Sequence, residues 1–279
     1  MTGRASRLAA LDLWVGTGLC VLVVLAAAAG PALWPADPIA GLLAATLRPP
    51  GTAVAGVLHP LGTDQLGRDL LARILAGTRV SLSIVLVAGT IAAVLGTALG
   101  VVAGYFRGVL DAVIMRLVDV QLAIPFILLI LLIVSVIGPS IFNLIVVLGV
   151  TGWGIFARVA RARTLEVREL EYIEAARALG LPVWRIIAIH VLPNILASQI
   201  VLLTLELPRL VVLEASVGFL GLGVQPPTPT LGNLIGEGRS LLLVADWLVL
   251  YPGLVIAALV VGFNFIGDGL LRRTRARLQ

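Results

Sequence analysis

The side chains in this sequence that could take part in a chemical reaction are few and lie far apart. The chain of 279 residues has one cysteine, Cys20, two histidines, His59 and His190, and no lysine among its 20 basic residues. Without lysine it cannot form a P-loop nucleotide site or a Schiff base. The separated histidines give no metal-site pattern, and one cysteine cannot form an intrachain disulfide. We therefore predict a non-catalytic chain without metal or cofactor, and any nucleotide that drives it must bind to another chain.

One polar, helix-forming stretch, residues 171–194, lies between long apolar segments. The pattern predicts a helix from about Leu165 to Leu179, a break at Gly180 and a new helix starting at Pro182. Glycine suits a left-handed helix cap, and proline suits the first turn of a helix. The sequence therefore predicts an angled pair of helices at this point.

The first of these helices has two distinct faces. Residues three or four apart lie on the same side of a helix, which places Glu171, Glu174 and Arg177 together. Ala175 and Ala176 keep the helix thin, so a partner surface can approach its backbone closely. A local pair of Glu174 with Arg177, or a solvated Glu174, is the alternative interpretation.

The composition predicts a helical membrane protein with several spans. Hydrophobic residues make up 59% of the chain, charged residues only 13%, and the mean hydropathy is +1.09. A soluble domain of this length could not cover so much apolar surface. We predict an all-α fold of six transmembrane helices, at about residues 11–33, 80–103, 113–137, 140–159, 194–221 and 246–266.

Two segments near the start of the chain allow more than one interpretation. Residues 11–33 follow a basic start and share features with a cleaved signal peptide, but the run is long and favours a retained span. The Pro- and Gly-rich segment before Thr78 predicts either a solvated loop or an interfacial helix led by Asp64, with Arg68, Arg73 and Arg79 outward. The sequence favours the solvated loop.

Small and polar residues within the predicted spans suggest where helices pack or open. Gly96, Gly100 and Gly104 allow two helices to pack closely, within the chain or against a partner, and packing within the chain is favoured. Pro125 predicts a kinked gating helix and is a candidate for the solute path, because freed backbone groups at a membrane proline usually face protein or a cavity. Glu206 and Arg209 flank Pro208 at mid-span, where a charge costs roughly 2.5–3.5 kcal/mol. They are predicted either to pair with each other or to line a solute path.

The distribution of arginine predicts the orientation of the chain. With six spans, 14 of the 20 arginines fall on one side. Positive residues accumulate on the cytoplasmic side of membrane proteins, so both termini and the polar stretch are predicted to be cytoplasmic.

The polar stretch resembles the EAA loop of the membrane subunits of ATP-driven bacterial importers. The matching residues are Glu174, Ala175, Ala176, Gly180, Leu192 and Pro193, with His190 where the general motif has isoleucine. The resemblance implies that these residues couple the chain to an ATPase. Glu174 would make a polar contact with the ATPase, and the two alanines would fill its cleft.

Residues 58–270 resemble, more closely, the C-type permease subunits of dipeptide, oligopeptide and nickel importers, which have the MetI-like fold. The motifs include LGTDQLGRDLL, EASVGFLGLGVQPPTPTLGNLI and YPGLVIAALVVGFNFIGDGL. The resemblance implies a sister permease, two ATPase subunits and an external solute-binding protein as partners. It divides the chain into a first span with an extracytoplasmic segment (1–79), a permease domain (80–270) containing a cytoplasmic coupling loop (160–193), and a basic tail (271–279).

The sequence alone is also compatible with other functions. The same architecture could import nickel, glutathione or another small solute. An autonomous secondary carrier would not need the polar stretch, and the sequence shows no inverted repeat. An intramembrane hydrolase is disfavoured, because neither histidine lies in a predicted span where it could activate Ser135 or Ser140.

Overall fold

The computed structural model describes residues 2–276 and is almost entirely helical within that range. Its helices are α1 (Thr2–Leu33), α2 (Leu70–Phe106), α3 (Gly108–Ala123), α4 (Phe126–Ile137), α5 (Ile141–Thr151), α6 (Trp153–Arg168), α7 (Glu171–Ala178), α8 (Val183–Ile186), α9 (Leu192–Phe219), α10 (Leu231–Gly238) and α11 (Trp247–Ala276). A short antiparallel hairpin joins β1 (Thr52–Val54) to β2 (Val57–His59). Arg277, part of the predicted basic tail, lies outside the described residues.

The chain forms two compact units. The first comprises residues 1–86, 134–144 and 207–279, and the second comprises residues 87–133 and 145–206. Helices α2, α4, α5 and α9 each contribute to both units.

Five helical segments of the described chain are long and apolar enough to cross a membrane: Asp12–Gly30, Leu70–Phe106, Ile141–Arg168, Val183–Phe219 and Trp247–Arg273. Helices α3 and α4 make a sixth if they count as one span, although they are bent by 90°. The bend lies at Pro125, and Ile124 before it is extended, as expected for a residue preceding proline. The predicted all-α fold is confirmed, and the third predicted span is interrupted by this bend, in the manner of a broken span or a re-entrant loop.

The first and last helices pack against each other in antiparallel fashion. Gly16 and Cys20 of α1 lie against Gly262 of α11, so closely that a Cβ atom at either glycine would overlap the other helix. At one end of the pair, Asp12 is 3.5 Å from the Arg272 guanidinium. The beginning of α1 and the end of α11 are therefore on the same side of this unit.

In the second unit, the glycine face of α2 packs directly on α6. A Cβ atom at Gly96 or Gly100 would overlap the carbonyl oxygen of Trp153 or Ala157, and one at Gly104 would crowd Thr164. Small residues at a four-residue step allow this approach of two backbones. The predicted packing within the chain is confirmed for these glycines.

The segment before α2 differs from both sequence predictions. Helix α2 begins at Leu70 rather than near Val80, and Arg68 and Arg73 are buried instead of outward. Both guanidinium groups contact the Asp64 carboxylate and the Glu237 carboxylate of α10. A buried charge is stable only when it is paired and hydrogen-bonded. The contacts pair both arginines with both carboxylates, and only Nε of Arg73 is left buried without a hydrogen-bond partner within this cluster.

A second set of contacts completes this part of the unit. Asp69 accepts hydrogen bonds from the Trp34 indole at 3.1 Å and the Ala72 amide at 2.8 Å, and its other oxygen is 2.8 Å from His59 Nδ1. The Trp247 indole donates to the Thr63 carbonyl at 3.2 Å. The segment is therefore a folded cap held by side chains from three helices, and the prediction of a solvated loop is wrong.

The contact between α2 and α6 can be tested with a single methyl group. Gly100→Ala should destabilise the protein by about 1–3 kcal/mol, the usual cost of overpacking, because its Cβ would overlap the Ala157 carbonyl. Thermal unfolding of the purified protein in detergent measures the change. Gly18→Ala is the matched control, since a Cβ there meets nothing within 4 Å. An unchanged melting temperature for Gly100→Ala would contradict the packing.

Candidate functional site

The candidate site is the angled segment from α7 to the start of α9, here called the elbow (residues 171–194). The sequence predicted one helix from Leu165 to Leu179, and this is wrong. Helix α6 ends at Arg168, and α7 begins at Glu171 after Leu170, whose backbone is extended. The break lets α7 turn away from α6 as a separate two-turn helix.

Gly180 ends α7 in the predicted left-handed conformation, with φ of +75°. Its N–H donates to the Arg177 carbonyl at 2.9 Å, and the next N–H, of Leu181, donates to the Ala176 carbonyl at 3.2 Å. This pair of bonds is the Schellman motif, which satisfies carbonyls that a helix end leaves free. Leu181 also packs against the apolar core beneath the elbow, which fixes the exit direction of the chain.

The second arm of the elbow runs from Pro182 into α9. Pro182 caps α8, and a π-helical turn at Ile187–Val191 joins α8 to α9. Pro193 has no N–H and its ring clashes with the carbonyl four residues earlier, so a regular α-helix cannot continue undisturbed through it. The π turn, marked by a bond from the Leu192 N–H to the Ile187 carbonyl, lies directly before this proline. The Leu-Pro pair thus sets the local geometry of the second arm.

One apolar core holds the elbow on the second unit. Ile173 and Ala176 of α7 are buried against residues of five other segments. Those residues are Val101 and Tyr105 of α2, Ala160 and Val167 of α6, Ile186 of α8, Val191 of the π turn and Ile195 of α9. Because this core includes side chains from every neighbouring helix, α7 cannot shift without moving them.

Two arginines pack on Tyr105 and strengthen this attachment. The guanidinium carbon of Arg177 is 5.4 Å from the ring centroid, and that of Arg168 is 5.8 Å away. Arg168 also donates to the Tyr105 carbonyl, and Arg177 donates to the Arg168 carbonyl at 3.2 Å. Arg177 therefore points toward the core, and the alternative of a local Glu174–Arg177 pair is wrong.

The two arms also contact each other through side chains that the sequence reasoning missed. The rings of Tyr172 and His190 meet edge to face, with centroids 5.9 Å apart. Asn194 donates to the Tyr172 hydroxyl at 3.0 Å and to the His190 carbonyl at 2.6 Å. The sequence did contain a signal of this contact: position 190 is histidine where the general motif has isoleucine, and this histidine packs against the tyrosine of the preceding arm.

The outer face of α7 presents Glu174 and Ala175. Both are exposed, whereas Ala176 is 7% exposed and belongs to the core. Among the described residues, no cation forms an ion pair with the Glu174 carboxylate. Leu179 and Trp184, on either side of the Gly180 turn, are also largely exposed. The elbow therefore combines a free carboxylate with exposed apolar side chains, and only one of the two alanines is accessible.

The residues predicted to line a solute path lie elsewhere in the chain. Pro125 is exposed at the bend between α3 and α4. Glu206 and Arg209 lie on α9, which continues as a helix through Pro208, with Glu206 partly buried and Arg209 exposed. None of the three belongs to the elbow.

Comparisons with known proteins agree with this architecture. Residues 96–279 match the family described as the binding-protein-dependent transport system inner membrane component. The chain is 38% identical to a dipeptide transport system permease protein, DppC, of Haemophilus influenzae, over 92% of this chain and 87% of the relative. It is 40% identical to a glutathione transport system permease protein, GsiD, of Pectobacterium atrosepticum, over 76% of this chain and 70% of that protein.

A solved structure shares the fold. The MetNI methionine ABC transporter, in an inward-facing conformation, superposes with a TM-score of 0.59 and 24% sequence identity, covering 72% of this chain and 95% of its own. The chain therefore belongs to the binding-protein-dependent transport system inner membrane components, and it is a multi-pass protein of the inner membrane.

Proposed function

We propose that this chain is one of two permease subunits of an ATP-driven importer of dipeptides and oligopeptides. It forms half of the solute path and couples to a separate ATPase. The observation that carries the proposal is the elbow, which presents Glu174 and Ala175 outward while its inner face is fixed to the core. The peptide substrate is supported by relatives named as dipeptide transport permeases.

The partners of the proposed complex follow from the family. Its description names a binding-protein-dependent system, which implies an extracytoplasmic solute-binding protein and an ATPase. We propose in addition a sister permease, two copies of the ATPase and a surrounding bilayer, with no nucleic acid. ATP and its magnesium ion bind to the ATPase chains, because this chain has no lysine for a P-loop.

The proposed orientation places both termini and residues 160–193 in the cytoplasm, and residues 35–79 outside. The excess of arginine on one side supports it. The contact of Asp12 with Arg272 supports it as well, since it brings the beginning of α1 and the end of α11 to the same side.

Coupling in this proposal is mechanical. Closure of the ATPase around ATP moves the docked α7, and the core formed by Ile173, Ala176 and their neighbours passes the movement to α2, α6 and α9. The left-handed cap at Gly180 and the Tyr172–His190 contact keep the two arms at a fixed angle. A rigid elbow transmits displacement, whereas a flexible loop would absorb it.

Reversing the charge at Glu174 should uncouple ATP hydrolysis from uptake. Glu174→Arg should lower ATP-driven uptake at least about tenfold, the effect of losing a docked charge contact. Its exposed side chain leaves folding and membrane levels unchanged. Uptake and ATPase activity of the complex in proteoliposomes measure this. Glu166→Arg is the control, since Glu166 forms only an exposed pair with Arg163. Normal uptake by Glu174→Arg would count against docking.

Peptide import itself can be measured directly. Cells that depend on peptides as the sole nitrogen source should grow with this gene and not after its deletion, and uptake of a labelled dipeptide should require ATP. Competition with labelled glutathione and with nickel tests the alternative substrates, of which glutathione is supported by a named relative. Uptake by the purified chain alone, without any ATPase, would instead identify a secondary carrier.

Glu206 and Arg209 are proposed to contact the charged ends of the solute, with Pro125 at a moving part of the path. The double variant Glu206→Gln, Arg209→Gln should raise the KM for zwitterionic peptides and change the preference for charged ones. Uptake kinetics over a set of peptides differing in charge provide the measurement, and single variants show which residue acts. Unaltered selectivity in a well-assembled complex would show that the two residues have only a structural role.

A further inference from the structure

A pocket of about 240 Å³ lies in the first unit, between the end of α9, the loop that follows it and α10. Its lining includes Phe219 and Arg239. The guanidinium of Arg239 is exposed, and its carbon lies 5.6 Å from the centroid of the Phe219 ring. This contact is favourable for a cation, so the ring holds the guanidinium in place beside the pocket.

Arg239 has no acidic partner, although a carboxylate lies in the same pocket. That carboxylate, of Glu237, is already bonded to Arg68 and Arg73. Among the described residues, no carboxylate forms an ion pair with Arg239. The guanidinium is therefore available to an anionic group of a ligand, to which it can donate charge-assisted hydrogen bonds.

Apolar side chains are exposed on both sides of this cation in the chain. Before it, Phe219 and Leu220 at the end of α9 are both exposed. After it comes an apolar run, here called the ridge (residues 242–244). The exposed fractions of the ridge side chains are 50% for Leu242, 100% for Leu243 and 71% for Val244. A continuous apolar surface of this kind marks an interaction site.

The place of the pocket and the ridge in the chain points to the bilayer. Helix α9 ends at Phe219 and α11 begins at Trp247, and both belong to segments that are long and apolar enough to cross a membrane. The pocket adjoins the last turn of α9, and the ridge ends just before α11. Both therefore lie where these helices leave the apolar layer, the level at which tryptophan is enriched. In the proposed orientation this is the outer leaflet.

The combination of a cation with exposed apolar side chains decides between possible ligands. An inorganic anion or the carboxylate of a small peptide would satisfy Arg239 but would leave the ridge in water. A phospholipid brings a phosphate for the guanidinium and acyl chains for the ridge. Asp246, exposed next to the ridge, balances the charge of Arg239, so a lipid of zero net charge is accommodated.

We propose that the pocket and the ridge form a phospholipid-binding site. Arg239 donates hydrogen bonds to the lipid phosphate, and the ridge enters the acyl-chain region. Phe219 is a positioning residue, because it holds the guanidinium. The inference depends on the chain being a membrane protein, and it depends neither on the peptide substrate nor on the ATPase.

A lipid bound here would also stabilise the extracytoplasmic cap. Arg239 directly follows α10, and α10 holds the cap through the bonds of Glu237 to Arg68 and Arg73. A ligand that binds only the folded state raises the unfolding temperature. Phosphatidylethanolamine added to the purified complex in detergent should therefore raise its melting temperature, and it should do so less for Arg239→Gln. An equal rise for both would contradict the proposed contact.

Lipid binding can be measured on the assembled complex in detergent, where phospholipid is limiting. Phosphatidylethanolamine with a photoactivatable group on its acyl chain should label residues 242–244, as mapped by mass spectrometry. Arg239→Gln should raise the lipid concentration for half-maximal labelling at least about tenfold, because a hydrogen bond between charged groups is lost. Arg48→Gln is the matched control, since Arg48 is exposed in the cap and its guanidinium donates to the Ala44 carbonyl. Unchanged labelling of Arg239→Gln would overturn the inference.

Competition and crosslinking separate a lipid from other occupants. Excess inorganic phosphate or dipeptide should leave the labelling unchanged, and displacement by either would show a site for small anions or for the solute instead. A benzophenone amino acid at the fully exposed Leu243 should form an adduct with phospholipid. Adducts with the sister permease or the solute-binding protein alone would reject the lipid site. ATP-driven uptake is measured in parallel, so a complex that transports without binding lipid here leaves the proposed function standing.

Discussion

The close approach of α2 to α6 is the contact on which the rest of the second unit depends. Three glycines let the two backbones meet, and this places Val101 and Tyr105 of α2 beside Ala160 and Val167 of α6. Helix α7 and the start of α9 pack on this surface. In a bilayer there is no hydrophobic force between helices, so dense packing of small residues must supply the attachment. The proposed coupling requires such dense packing, because a loosely packed contact would deform before it transmitted movement.

The elbow is a short element whose rigidity comes from several weak contacts acting at once. Neither α7, of eight residues, nor α8, of four, would be stable alone. Three contacts each restrict the backbone of the elbow. They are the Gly180 cap, the packing of two arginines on Tyr105, and the contact of Tyr172 with His190. The outward face then leaves Glu174 and Ala175 exposed. This division between a fixed inner face and a free outer face explains why Ala176 is buried while Ala175, its neighbour, is accessible.

Much of this architecture could be predicted from the sequence, because long apolar runs and helix-ending Gly and Pro residues directly reflect local conformational preferences. Such local signals predicted the apolar helices, the left-handed conformation of Gly180 and the internal packing of the α2 glycines. The errors concerned contacts between residues distant in sequence. Arg68 and Arg73 looked solvated because their partner Glu237 follows more than 160 residues later. The break before Glu171 was missed because residues 165–179 are all compatible with a helix. In the structure α6 ends at Arg168 and Leu170 is extended, and Val167 and Ile173 on either side of the break both pack in the core.

The buried cluster of Asp64, Arg68, Arg73 and Glu237 has a consequence for biogenesis. Asp64 and the two arginines are synthesised early, and together they carry an excess positive charge until the ribosome has added Glu237. Burial of an unbalanced charge is unfavourable, so the segment before α2 must stay hydrated while α3 to α9 are inserted. The segment can therefore dock in its final position only after α10, which carries Glu237, has been added.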